Sequence, residues 1–217
     1  MSSNMIGAHN GLHSANGALA GEHPGRSRNP LIKVADVAWL EFDKPDLARA
    51  EAFAQAFGFS TALRTDTELH LRGSDPDAPC VLIRRGPQTR FRGIAFAAAD
   101  DADVVRLADR TGARVSPLPE SIGGLSVQLT DPSGIPVRVV SGTHPLSTLP
   151  AQAPHTLNFG DHIERINATQ RPPRVPTTVQ RLGHVVVQTT TYRAALDWYL
   201  DTLGMIVSDF LYFPGQR

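Results

Sequence analysis

Two glycines 146 residues apart, Gly58 and Gly204, each close an amphipathic run that comes after a strand-like stretch. This duplication limits the fold more than any other feature of the chain. Before Gly204, Leu196, Tyr199, Leu200 and Leu203 are spaced i, i+3, i+4, i+7, the apolar stripe of a helix running from about Tyr192 to Leu203. Shifted back by the same interval they fall on Ala50, Phe53, Ala54 and Phe57, which predicts a matching stripe on an earlier helix. Ahead of the later helix, Arg181 to Gln188 alternates as a strand. His184, Val186 and Gln188 fall on one side, and Val185, Val187 and Thr189 on the other. The equivalent of Val185-Val186-Val187 is Trp39-Leu40-Glu41, and that of His184 is Ala38, so only the later copy holds an imidazole there.

The chain between these landmarks reads as a repeated βαβββ unit. The first unit has a strand over about Val34–Phe42, a helix opened by Asp43-Lys-Pro-Asp46 and stopped at Gly58, and short strands near 61–64, 68–72 and 81–85. The second has a strand over Phe91–Ala97 and a helix from about Ala102 to Thr111, with Val104, Leu107, Ala108 and Thr111 on one face. A short strand over Arg114–Pro117 comes next, then a hairpin of Leu125–Leu129 and Pro136–Val140 around Asp131-Pro-Ser-Gly134. Proline presets the second position of that turn and glycine suits the fourth. A third unit opens at Arg181, and its next strand would begin at Ser208–Tyr212.

The flanking segments are of another kind. Residues 1–30, with His9, His13 and His23, are polar and Gly/Ser/Asn-rich and read as a disordered arm without the apolar centre of a signal peptide. Residues 144–180 carry six prolines, the first at position 145, and read as a linker, with a turn of helix expected at Asp161–Arg165. The domain reading is therefore a 1–30 arm, a 31–143 N-terminal domain, a 144–180 linker and a 181–217 start of a second domain.

Lys+Arg and Asp+Glu are equal at 21 each, and no basic run or aromatic-interleaved patch points to nucleic acid. No apolar stretch approaches the length of a membrane span. Cys80 is the sole cysteine, which excludes an internal disulfide and a cysteine zinc cage, and it sits in the apolar run Cys80-Val-Leu-Ile83 as a structural thiol. A reducing cytoplasm is expected.

Two successive βαβββ units, the Asp131-Pro-Ser-Gly134 hairpin, a Pro-rich connector and Leu182-Gly-His184-Val-Val-Val187 together resemble the vicinal oxygen chelate superfamily. The layout looks most like its two-domain extradiol ring-cleavage dioxygenases. The resemblance implies an α+β fold of tandem βαβββ modules, forming a curved mixed sheet with helices outside. It also implies an Fe(II) centre (Mn being the other metal expected), a catechol or dihydroxybiphenyl and O₂ as substrates, and a homo-oligomer. Two histidines and a glutamate hold the metal in that family and leave adjacent positions open on it. Carried over, the first domain offers Ala38, Gly93 and Arg138. None of these is a ligand, and an arginine repels a divalent cation, so that domain is expected to be metal-free. His184 becomes the first ligand of the second domain.

The remaining two ligands and any acid/base residue would lie beyond Arg217, and His155, His162 and Glu164 of the linker are not placed beside His184 by any pattern. The chain as given is thus expected to be an incomplete and inactive form, with Trp198 and Tyr199 left partly uncovered and adhesive. Two other readings use the same scaffold. One is a glyoxalase-like isomerase or epimerase using Ni or Zn. The other is a non-catalytic protein that sequesters a small aromatic or drug molecule, as bleomycin-resistance proteins do.

Overall fold

The computed structural model of the protein describes residues 23–151, 155–169, 171 and 175–210. Most of the expected arm, including His9 and His13, lies outside the described residues, as do positions 211–217. The elements are β1 (Val34–Lys44), α1 (Leu47–Phe57), β2 (Ser60–Arg64), β3 (Glu68–Arg72), β4 (Val81–Arg85), β5 (Arg90–Ala98), α2 (Asp101–Thr111), β6 (Val115–Pro117), β7 (Leu125–Thr130), β8 (Pro136–Ser141) and α3 (Tyr192–Leu203). Both complete βαβββ units are present, and in each the first strand lies beside the fourth, then the third, then the second. The α+β class and the mixed sheet built from repeated modules are as the sequence predicts.

The chain divides into two compact units that do not coincide with the modules. Of the described residues, the first holds those up to Leu40, 92–144 and from 184; the second holds those within Glu41–Phe91 and Pro145–Gly183. In the first, the strand order is β1-β5-β8-β7-β6. Strands β5 and β8 run parallel, pairing Ile94 with Val137 and Phe96 with Val139, and β8 pairs antiparallel with β7 across the Asp131 turn. One sheet face, carrying Ile94, Phe96, Val127, Val137 and Val139, is buried with Val104, Leu107 and Ala108 of α2 and Leu203 of α3. Each such aliphatic side chain contributes about 1.5–3 kcal/mol when fully buried. The α2 stripe buries as expected except for Thr111, which is exposed and returns its hydroxyl to the Leu107 carbonyl. Asp100 caps the helix by accepting from the Asp103 amide at 2.9 Å.

In the second unit the order is β2-β3-β4-β1, and α1 packs on the face bearing Leu69, Leu71 and Ile83. Here the stripe predicted from the repeat is only half right. Leu47, Ala50 and Ala54 face the sheet, whereas Phe53 and Phe57 are 72% and 59% exposed and stack on one another at 6.3 Å, with Phe59 stacked on Phe57 in turn. The small side chains at 50 and 54 fit the side toward the strands, and Leu47, outside the matched quartet, supplies the buried bulk.

On the opposite face of β3, Glu68, His70 and Arg72 alternate with the core leucines. Cys80 is buried against the Leu71 carbonyl, as expected of a structural thiol. Among its described residues the linker forms no helix; the turn of helix expected at Asp161–Arg165 is replaced by an isolated bridge between Phe159 and His162, whose amides each donate to the other's carbonyl. Further along, the linker is held to the second unit by backbone bonds from Ser74 to Val179, Leu149 to Ser74 and Val179 to Gly58.

These environments set the expected cost of substitution. Leu107→Ala should cost about 3 kcal/mol in urea unfolding, while Phe53→Ser should stay within about 0.5 kcal/mol. His70 is buried 3.7 Å from Glu68, and burial, opposed by that carboxylate, holds its pKa below the ordinary 6.5. Below 6.5 the unfolded chain therefore binds more protons than the folded one. This contribution to stability is complete above pH 6.5 and is lost as pH falls through the folded value. Urea midpoints from pH 7.5 to 5 should decline with a slope that His70→Gln reduces.

Candidate functional site

The candidate site lies on the stretch that leads into α3, within the first unit. Residues 181–188 do not form the predicted strand; no ladder partner is present among the described residues. The alternation nevertheless survives, because burial of valines sets it. Val185 and Val187 pack against the core of the first unit, while His184, Val186 and Gln188 are exposed, Val186 at 83%. The backbone of 182–188 makes no hydrogen bond among the described residues. His184 thus faces outward, on the side the sequence predicts, from an extended segment held by side chains alone.

Where this segment ends, its anchoring becomes polar. The hydroxyls of Ser133, Thr189 and Thr191 form a cluster with separations of 2.7, 3.1 and 2.9 Å. Beside it lies a hollow of about 450 Å³ lined by Pro132, Ser133, Ile135, Gln188 and the three threonines 189–191. Four residues of extended chain, roughly 13 Å, separate Gln188 from His184, so this hollow is not the imidazole's own.

The strongest anchor is Asp131, buried at the start of the hairpin turn. Its Oδ1 accepts from the Ser133 and Ile135 amides, each at 2.8 Å, and its Oδ2 accepts from the Tyr199 hydroxyl at 3.1 Å. Burial first, and then the neighbouring Asp131 carboxylate, push the Tyr199 pKa far up, so the phenol stays protonated and donates. Trp198 and Tyr199, expected to be partly uncovered, are half-buried against the core of the first unit, with Tyr199 edge-on to Phe96. Their cover comes from the second module rather than from a completed third one.

A further anchor comes from part of the expected arm. His23 is buried, accepts from the Gly25 amide at 2.8 Å through Nδ1, and meets Asp197 Oδ1 of α3 at 2.7 Å through Nε2. Leu31 and Ile32 donate to the carbonyls of Asp201 and Thr202 in the last turn of α3, and Val207 donates to Gly25. His23 and Gly25 of the expected arm are therefore bound rather than disordered, through the Asp197 side chain and the Val207 amide.

The remaining candidates stay apart. Gly93 has φ +150, and a Cβ there would sit 2.5 Å from the Pro136 carbonyl, so β8 itself excludes a histidine at this position. Arg138 pairs in register with Ala95 and Gln128, on the sheet face turned away from the buried core. His155 is exposed, and His162 pairs locally with Glu164 at 2.7 Å, both in solvent. Among the described residues no three His, Cys, Asp or Glu side chains come together to hold a metal. One exposed imidazole without a carboxylate or carbonyl behind it does not fit a divalent metal centre.

No protein-family model matches the chain. Metapyrocatechase 2 of Cupriavidus necator is 29% identical over 206 residues, covering 91% of this chain and 60% of that protein. Among solved structures, the Mn(II)-bound glyoxalase from Novosphingobium aromaticivorans superposes with a TM-score of 0.50 at 20% identity, over 56% of this chain and 43% of its own. Homoprotocatechuate 2,3-dioxygenase from Arthrobacter globiformis gives 0.50 at 21% identity, over 57% and 41%. The chain shares its fold with these two solved structures, a fold consistent with the vicinal oxygen chelate type. It spans about 60% of the length of the curated relative it matches. Among the described residues, no helix is long and apolar enough to cross a membrane.

Sequence reasoning missed His70, His23 and the Asp131–Tyr199 bond. The Asp-Pro-Ser-Gly signature located the turn but not its carboxylate's second partner, 68 residues on. Tyr199→Phe should destabilise the protein by about 2 kcal/mol and Asp131→Ala by about 3 kcal/mol, since the latter also orphans the part-buried amides of Ser133 and Ile135. Chemical denaturation of both single variants and the double variant should show the pair to be non-additive.

Proposed function

We propose that this protein is of the extradiol dioxygenase type: a metal-free leading pair of modules, then the start of a module whose His184 serves as a metal ligand. The chemistry of that type is oxidative ring opening of a catechol or dihydroxybiphenyl by O₂ at Fe(II), with Mn(II) as the other metal to be tested. The observation that carries the reading is the similarity to metapyrocatechase 2 across 91% of this chain. Three features support the metal-free role of the first pair: alanine at position 38, a backbone clash at Gly93 and a cation at Arg138. The absence of a three-donor group among the described residues favours a second reading, a non-catalytic protein that binds a small aromatic molecule.

These readings separate in one experiment. Residues 1–217 are incubated anaerobically with Fe(II) and catechol, then exposed to O₂, alone and together with the part of metapyrocatechase 2 that this chain does not span. The dioxygenase reading expects no yellow ring-cleavage product from the chain alone, and product from the mixture that is lost with His184→Ala. Saturable catechol binding by the chain alone, with no product from either sample, would establish the binding-protein reading instead.

A further inference from the structure

We infer that this chain folds and persists without a metal ion, and that His184 within residues 1–217 is an unformed ligand rather than one member of a built site. The inference concerns the chain's own donors and stands apart from the ring-cleavage reading. Three observations converge on it. First, no second imidazole or carboxylate lies within ion-pair reach of His184, and no hydrogen bond to its ring is present among the described residues. A metal-ligating histidine ordinarily has its other ring nitrogen held by a carboxylate or carbonyl, which fixes the tautomer and the aim of the ring.

Second, the backbone that carries His184 belongs to no ladder. Residues 182–188 have no hydrogen bond among the described residues, whereas the equivalent strand β5 is fixed by four registered pairs with β8 from Ile94–Val137 to Ala97–Val140. A ligand must be held to within about 0.5 Å of its working position, and only Val185 and Val187 hold this segment. Third, three of the other described histidines have partners of their own, while His155 is exposed in the linker: His23 is committed through both nitrogens, His162 to Glu164, and His70 is enclosed beside Glu68. Nothing in the two hydrophobic cores requires a cation; both are built of apolar side chains.

The test uses the full chain with metal alone as probe: Mn(II) monitored by electron paramagnetic resonance, and anaerobic equilibrium dialysis with Fe(II). Thermal unfolding with and without chelator and amide hydrogen exchange are measured in parallel. The expected result is an unchanged melting temperature in chelator and well under one equivalent of metal bound. Amides 182–188 should exchange rapidly, to the same extent with and without metal. Binding that disappears in His9→Ala/His13→Ala but persists in His184→Ala would be adventitious capture by the N-terminal histidines and would leave the inference standing.

One equivalent bound, lost in His184→Ala and accompanied by protection of 182–188, would overturn it. That outcome would not touch the ring-cleavage reading, whose failure shows only as absence of product from the mixed sample.

Discussion

One carboxylate holds the second module to α3. Asp131 is buried, and an ionised carboxylate in such a place persists only when its oxygens are occupied. Two amides of its own turn and the hydroxyl of Tyr199 occupy them. Because the turn lies at one end of the β7–β8 ladder and Tyr199 lies on α3, the bond converts a local hairpin device into a tertiary one. The hydroxyls of Ser133, Thr189 and Thr191 repeat the link a few residues away. The helix that opens the third module is thereby fixed to the sheet face already covered by α2.

Backbone economy reinforces that placement. The last turn of a helix leaves carbonyls without intrahelical donors, and Leu31 and Ile32 donate to two of those of α3. The approach is close: a side chain at Gly204 would meet the Ile32 carbonyl at 2.5 Å. His23 adds a polar clamp to Asp197 from the same N-terminal stretch. On the apolar side of α3, Leu203 is fully buried in the core of the first unit and Trp198 and Tyr199 are half-buried against it.

What the sequence made legible was whatever depends on neighbours along the chain. Helix ends at Gly58, Gly112 and Gly204, the Asp131 turn and the order of both modules rest on local backbone and turn chemistry, and they stand as read. The face of α1 was misread because periodicity alone admits more than one apolar side. Ala50 and Ala54 were shared by both choices, and sheet packing selected Leu47 over Phe53 and Phe57. The polar arm was misread in part because composition reports no distant partner; His23 is bound by a residue 174 positions away. His70 left no signal for the same reason, since its burial depends on cover that β3 itself does not specify.

The lone imidazole and the unpaired segment have one physical origin. In the second module the apolar alternation of β5 and its pairing with β8 act together, the first choosing which side chains face inward and the second fixing the backbone along the strand. Residues 182–188 retain only the first of these. Val185 and Val187, drawn to the core, set the rotational phase of the segment, so His184 must point away from it. Phase alone assigns a side chain to a face; it does not set its distance from a second donor. That distance comes from a ladder, and among the described residues no strand supplies one at this segment. The direction of the imidazole is therefore encoded within these residues, whereas the geometry needed to hold a metal is not.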